Sequence, residues 1–383
     1  MEEERMELKH EAPRVIFAGG GTGGHLYPAL ALADALKRLD PRTEVLFLGA
    51  KRGVEARVLP ARGVPHRLLP FEPIRRAQPW QNWRLVPALL SSFAGIRSAF
   101  REFRPHLVVG TGGYASGPVV AWAALHGVPA AVQEQNSYPG LTTRWLASRV
   151  RQLHLAFPEA RRYLKPGSRT EVYEYGNPIR PPEHTLSREE ARARFGLGGG
   201  VVGLVVGGSQ GARAVNQALL AELAAVAAGE IAARPEGFEL LWATGPAHHA
   251  PIAARLAELG VESWVRAVPY IDDMPAALAS ADFALSRAGA MALAELCAWG
   301  IPSILVPLPT AAANHQEHNA RALADAGAAH LLPEAELSPG HLWSELTALA
   351  RDAALRAALA ARALERGRPH AADDIAAALY SLL

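Results

Sequence analysis

Two short stretches of this sequence hold residue types suited to an anionic ligand. Residues 19–25 read Gly-Gly-Gly-Thr-Gly-Gly-His, and residues 207–213 read Gly-Gly-Ser-Gln-Gly-Ala-Arg. Each follows an apolar, β-branched run and precedes an alanine- and leucine-rich one, so each is expected between a strand and a helix. Glycines there let the backbone approach a ligand closely, and the helix that follows offers unpaired N–H groups and a positive dipole end. Tight strand–helix packing alone would also use such glycines. His25 closes the first run, and an imidazole with an ordinary pKa of about 6.5 can accept a proton at neutral pH. A histidine at a helix start could also merely cap the helix or bind a phosphate.

Residues 19–24 satisfy G-x-G-x-x-G, but a dinucleotide site also wants a carboxylate about 20 residues on, at the end of the second strand. That strand ends at residues 46–51, Leu-Phe-Leu-Gly-Ala-Lys, without one. Neither run continues into the lysine of a P-loop. A third glycine run, residues 110–117, carries Tyr114, which could stack on or hydrogen-bond a ligand, or simply cap the fold.

The elements that must hold these loops alternate. Strands are expected at 14–18, 44–48, 106–109, 129–132 and 152–155, then at 201–206, 239–243, 263–267, 283–286 and 301–306. Helices interleave at 28–39, 212–228, 290–299 and 314–326. This is the α/β pattern of doubly wound parallel sheets. At 383 residues the chain suits two to three domains. Residues 176–183, Gly-Asn-Pro-Ile-Arg-Pro-Pro-Glu, read as the linker, because proline fixes φ and removes donors. Residues 1–13 read as an extension, 14–179 and 180–367 as two domains, and 368–383 as a last helical segment. The expected site is a cleft between the domains.

Several blocks together resemble the MurG family of peptidoglycan glycosyltransferases: GGGTGGHLYPALALADAL, GTGGYASGP, QEQNSYPGLTTRWLA, GNPIR, GGSQGARAVN, YIDDM, SRAGAMALAELCAWGIPSILVPLP and NHQEHNA. They run in that family's order from about residue 14 to 328. The resemblance implies a GT-B fold, two Rossmann-like domains facing a cleft, with the last helix crossing back to the first. It implies an inverting transfer of N-acetylglucosamine from UDP-N-acetylglucosamine to the C4 hydroxyl of the N-acetylmuramoyl sugar of lipid I, giving lipid II. It implies no cofactor. The alternatives are another UDP-sugar transferase, an epimerase of this architecture, or a non-catalytic nucleotide-sugar-binding protein.

Carried over by residue, the resemblance makes His25 the general base, with Glu134 its rival. Thr22, Gly23, Gly24 and Asn136 match donor contacts, as do Arg180, Ser209, Gln210 and Gly211 near the diphosphate. Ile271 matches the position reading uracil, and Ala290, Met291, Ala292, Leu293, Ala294 and Glu295 the segment at the ribose. His315, Gln316 and Asn319 match the sugar contacts, and Gly20, Gly21, Gly112, Gly113 and Tyr114 the acceptor side. The family usually has histidine where this chain has Gln133, so a histidine is not required there. No D-x-D metal motif occurs; Asp272–Asp273 and Asp373–Asp374 are adjacent pairs.

A lipid-linked acceptor implies a peripheral position on the cytoplasmic face of the membrane. Arg75, Arg76, Trp80, Trp83 and Arg84, ahead of an amphipathic stretch, suit interfacial contact. A formal net charge of only +2 gives no pointer to nucleic acid. The single cysteine, Cys297, fits a reducing compartment.

Overall fold

The computed structural model describes residues 11–72, 85–183, 185–208 and 210–383. The chain divides into two compact units, residues 1–180 with 370–383, and residues 181–369.

In the first unit, strands β1 (Arg14–Ala18), β2 (Glu44–Ala50), β3 (His66–Leu69), β4 (Leu107–Gly110), β5 (Ala130–Glu134), β6 (Gln152–Leu155) and β7 (Glu171–Tyr173) form one sheet in the order β3-β2-β1-β4-β5-β6-β7. Every pairing is parallel. A parallel sheet covered on both faces needs apolar residues at successive positions, and Val15, Ile16, Phe17 and Ala18 are all fully buried. Alternate residues serve opposite layers. Val15, Phe17, Val45, Phe47 and Val109 pack under the helices Gly23–Leu39 and Ala371–Tyr380; Ile16, Ala18, Leu48, Val108 and Val132 pack under Leu85–Phe103 and Gly113–Leu125.

The second unit holds β8 (Val202–Val206), β9 (Glu239–Ala243), β10 (Val265–Val268), β11 (Phe283–Ser286), β12 (Ser303–Leu305) and β13 (Ala329–Leu331), all parallel in the order β10-β9-β8-β11-β12-β13. Its core centres on Trp242, Phe238, Phe283 and Trp343.

In both sheets the strand order reverses beside the first strand, between β1 and β4 and between β8 and β11. Such a switch point leaves a crevice at the strands' carboxyl ends, where open α/β sheets bind ligands. The loops that leave these strands are the glycine runs at 19–22, 111–112 and 207–212.

The first helix begins at Gly23 rather than at Pro28, which sits inside it. Pro28 supplies no N–H to the Gly24 carbonyl, so this helix goes without one rung of its hydrogen-bond ladder. His25 therefore lies in the first helical turn. The third glycine run likewise turns helical at Gly113.

On β6, His154 is fully buried, stacked against Tyr173 and Tyr175, with Nε2 3.1 Å from Gln152 Oε1. Burial holds its imidazole down to about 3. The unfolded chain then takes up a proton below about 6.5 that the native state refuses, so stability falls with pH from there towards 3, by up to about 1.4 kcal/mol per unit. Urea midpoints across that range should fall less steeply for His154→Leu; an unchanged slope would place the acid sensitivity elsewhere.

Candidate functional site

The loop after β1 folds on a buried carboxylate. Glu55, at the start of the helix Glu55–Ala61, is wholly inaccessible. Its Oε2 and Oε1 lie 2.9 and 3.1 Å from the Gly21 N–H, and Oε1 also accepts from Ala50 N at 2.8 Å. The Gly21 N–H, which the sequence offered to a ligand anion, thus already has a protein acceptor. The first helical N–H groups, at Gly23 and Gly24, have no acceptor within the helix. Glu55 stands five residues beyond β2, close to where a dinucleotide site carries its ribose carboxylate, but it faces the loop's own backbone.

His25 is half-buried. Its Nδ1 lies 3.1 Å from Thr22 Oγ1 and 3.3 Å from the Gly20 carbonyl oxygen, and its own carbonyl accepts from Thr111 Oγ1 at 2.8 Å. The ring packs on Gly112 and Gly113 with no room to spare. A Cβ at Gly112 would stand 2.8 Å from His25 Cδ2, and one at Gly113 2.2 Å from the Gly20 carbonyl oxygen. Tyr114 lies over Gly21, and burial together with the charge of Glu55 pushes its phenol up. Gly20, Gly21, Thr22, His25, Gly112, Gly113 and Tyr114 therefore form one assembly at the switch point.

Glu134 ends β5 and is buried. Its Oε1 accepts from Asn136 N at 3.1 Å and Asn136 Nδ2 at 3.3 Å, and its Oε2 accepts from Gly140 N at 3.1 Å. Both oxygens hold the turn that follows. Gln133 is fully buried and donates to Asn177 Oδ1 at 3.1 Å, while Asn177 donates to the Gln135 carbonyl at 3.1 Å. An amide suits this position because it both donates and accepts.

In the second unit, Gly211 N–H donates to the Gly208 carbonyl at 3.0 Å, closing the loop ahead of the helix Arg213–Ala228. Gln210 is exposed and Gly211 half-buried. Beyond β11, Arg287 donates to the carbonyls of Val306 and Pro307, both at 3.2 Å. Gln316 Oε1 accepts from Leu308 N at 3.0 Å. Asn319 is fully buried and donates to the Ala288 carbonyl at 3.3 Å. Asn319 thus supports the loop from beneath. Gln316 and His315 are half-buried beside it, His315 with Nδ1 2.7 Å from the Ala312 carbonyl. Ala290, Met291, Ala292, Ala294 and Glu295 are half-buried on the helix Ala290–Ala298, whereas Leu293 points into the core. Ile271 is buried and Arg180 is exposed. Ser209, Arg75, Arg76, Trp80, Trp83 and Arg84 lie outside the described residues. Among the described residues no group of three or more His, Cys, Asp or Glu side chains could hold a metal ion.

Residues 15–155 match the glycosyltransferase family 28 N-terminal domain, and residues 202–375 its C-terminal domain. The chain is 42% identical over 370 residues, 94% of its length and 97% of the relative's, to the UDP-N-acetylglucosamine--N-acetylmuramyl-(pentapeptide) pyrophosphoryl-undecaprenol N-acetylglucosamine transferase of Moorella thermoacetica. It is 44% identical over 332 residues, 85% of each chain, to the protein of that name from Carboxydothermus hydrogenoformans. Among solved structures, MurG of Acinetobacter baumannii superposes with a TM-score of 0.75 at 27% identity, over 96% of this chain and 99% of that one. A UDP-glucose: anthocyanidin 3-O-glucosyltransferase bound to UDP shares the fold, with a TM-score of 0.68 at 13% identity, over 97% and 99% of the two chains.

Proposed function

This chain belongs to glycosyltransferase family 28, and we propose that it transfers N-acetylglucosamine from UDP-N-acetylglucosamine to the C4 hydroxyl of the N-acetylmuramoyl sugar of lipid I, yielding lipid II and UDP. The observation that carries this reading is the relationship to transferases of that name along nearly the whole chain. The assembly around His25 supplies the chemistry.

In this reading the acceptor oxygen attacks the anomeric carbon from the face opposite UDP, the bond from that carbon to the phosphate oxygen breaks, and its electron pair leaves with UDP. His25 takes the hydroxyl proton. It is preferred to Glu134 because both Glu134 oxygens are committed to the N–H groups of their own turn. Charge developing on the departing diphosphate falls to the loop at 207–211 and the N-terminus of the helix Arg213–Ala228, a backbone arrangement that needs no metal. Ile271, the segment 290–295 and Gln316 are assigned to the nucleotide and its sugar.

UDP release from UDP-N-acetylglucosamine, followed with and without a lipid I analogue, tests the assignment. Release that depends on the analogue is expected. Turnover without it would point to an epimerase or hydrolase, and no turnover with it to a binding protein.

We further propose a peripheral contact with the cytoplasmic face of the membrane. Among the described residues no helix is long and apolar enough to cross a bilayer. The helix Leu85–Phe103 exposes Val86, Leu89 and Leu90, at 54%, 45% and 66%, while Ile96 and Ala99 are buried. An exposed apolar edge on the helix that follows the basic and aromatic residues 75–84 in the sequence suits an interfacial site. Replacing Leu89 and Leu90 together by aspartate should weaken binding to anionic vesicles, and unchanged binding would remove this helix from the contact.

A further inference from the structure

We infer that Glu55 is a positioning residue for this transfer, acting on His25 through the single peptide group that joins Gly20 to Gly21. The inference rests on the reading of His25 as the base.

The geometry runs in one line. The buried carboxylate accepts the Gly21 N–H with both oxygens, at 2.9 and 3.1 Å. That N–H and the Gly20 carbonyl are two ends of one planar, conjugated unit. The Gly20 oxygen lies 3.3 Å from His25 Nδ1. A carbonyl oxygen only accepts, so this contact calls for a proton on Nδ1. The neutral ring then carries its lone pair on Nε2, the nitrogen assigned to take the acceptor's proton. Thr22 Oγ1, 3.1 Å from Nδ1, can accept from the same N–H.

A carboxylate bonded directly to an imidazole N–H fixes the tautomer and stabilises the imidazolium that forms. Here one peptide group is interposed. Accepting its N–H polarises the unit and places more negative charge on its oxygen, which strengthens the bond from Nδ1. No proton reaches Glu55: the hydroxyl proton ends on Nε2, and Nδ1 keeps its own.

Space has been made for this carboxylate. A Cβ on Gly20 or on Gly53 would come within 2.1 Å of its oxygens, and one on Gly49 within 2.6 Å of Glu55 Cγ. With no accessible surface, Glu55 cannot itself touch a ligand. Among the titratable groups, the Tyr114 phenol, on the helix Gly113–Leu125, interacts with the Glu55 charge, and the same phenol interacts with Arg52 and Glu72, which pair with each other at 3.0 Å.

Two measurements decide the matter. Nitrogen-15 NMR of the unaltered full chain, with His25 assigned by its replacement, should show the neutral ring protonated on Nδ1; a neutral ring protonated on Nε2 would overturn the inference. Glu55→Gln keeps the shape and removes the charge. It should lower kcat by roughly 10- to 100-fold with KM for UDP-N-acetylglucosamine within about twofold, since that substrate is assigned to other residues. The His25 titration should move to lower pH by roughly half to one unit, because the lost charge favoured the imidazolium. An unmoved His25 titration, with or without a loss of kcat, would reduce Glu55 to a structural staple and overturn the inference. Should Glu55→Gln fail to fold, the tautomer alone decides. The tautomer and titration are read without turnover, so they stand apart from any failure of His25 as the base.

Discussion

Replacing His25 by alanine should lower kcat for lipid I-dependent UDP release by roughly 10²- to 10⁴-fold, the range general-base catalysis supplies. KM for UDP-N-acetylglucosamine should stay near that of the unaltered chain, because a group that acts only as the hydroxyl loses its proton contributes little to ground-state binding. The ring is half-buried, and its neighbours are the small surfaces of Gly112 and Gly113. Thermal melting will show that the variant still folds. Steady-state kinetics on both substrates is the check. Turnover within about threefold of the unaltered chain, well below the lower end of that range, would move the base to another group.

The second large effect is expected at Gly211. Its φ is +75°, and a Cβ there would stand 2.2 Å from the Thr244 carbonyl oxygen. That oxygen belongs to backbone fixed at the end of β9, so it cannot swing aside as a long side chain would. Gly211→Ala should displace the loop and raise KM for UDP-N-acetylglucosamine by roughly 10- to 100-fold, one to two steps of 1.4 kcal/mol in binding. Gly208→Ala is the matched control. Its φ is similar, +86°, but nothing lies within 4 Å of the added carbon, so it bears only the conformational penalty of about 1–2 kcal/mol. Titration calorimetry with UDP should separate the two. Equal affinities in both variants would show that the loop does not hold the diphosphate.

The central strands were legible in the sequence because both faces of a parallel sheet are buried, and residues such as those at 15–18 read as unbroken apolar runs. β3, β7 and β13 were not anticipated. They are edge strands of four, three and three residues, too short to display a period. The glycine loops and His25 announced themselves by composition. Glu55 did not, since the N–H it accepts from is 34 residues away in the chain. Asn319 shows the opposite limit. Its spacing from Gln316 places both on one side of a helix, but only the packing reveals that Asn319 lies underneath, bonded to the Ala288 carbonyl, while Gln316 remains half-buried.

The helix Ala371–Tyr380 belongs to the first unit although the whole second unit precedes it in the chain. Ala372, Ile375, Ala376 and Leu379 fill a layer beneath β1 and β2, Gln152 donates to the Ala378 carbonyl at 3.0 Å, and Tyr380 donates to Asp40 at 2.9 Å. Topologically the second unit is an insertion within the first. On the ribosome, where domains fold as they emerge, the amino-terminal unit is therefore the one that must wait: its sheet lacks part of one covering layer until residues 370–383 have been made, whereas residues 181–369 are by then complete. The half synthesised first is the half finished last.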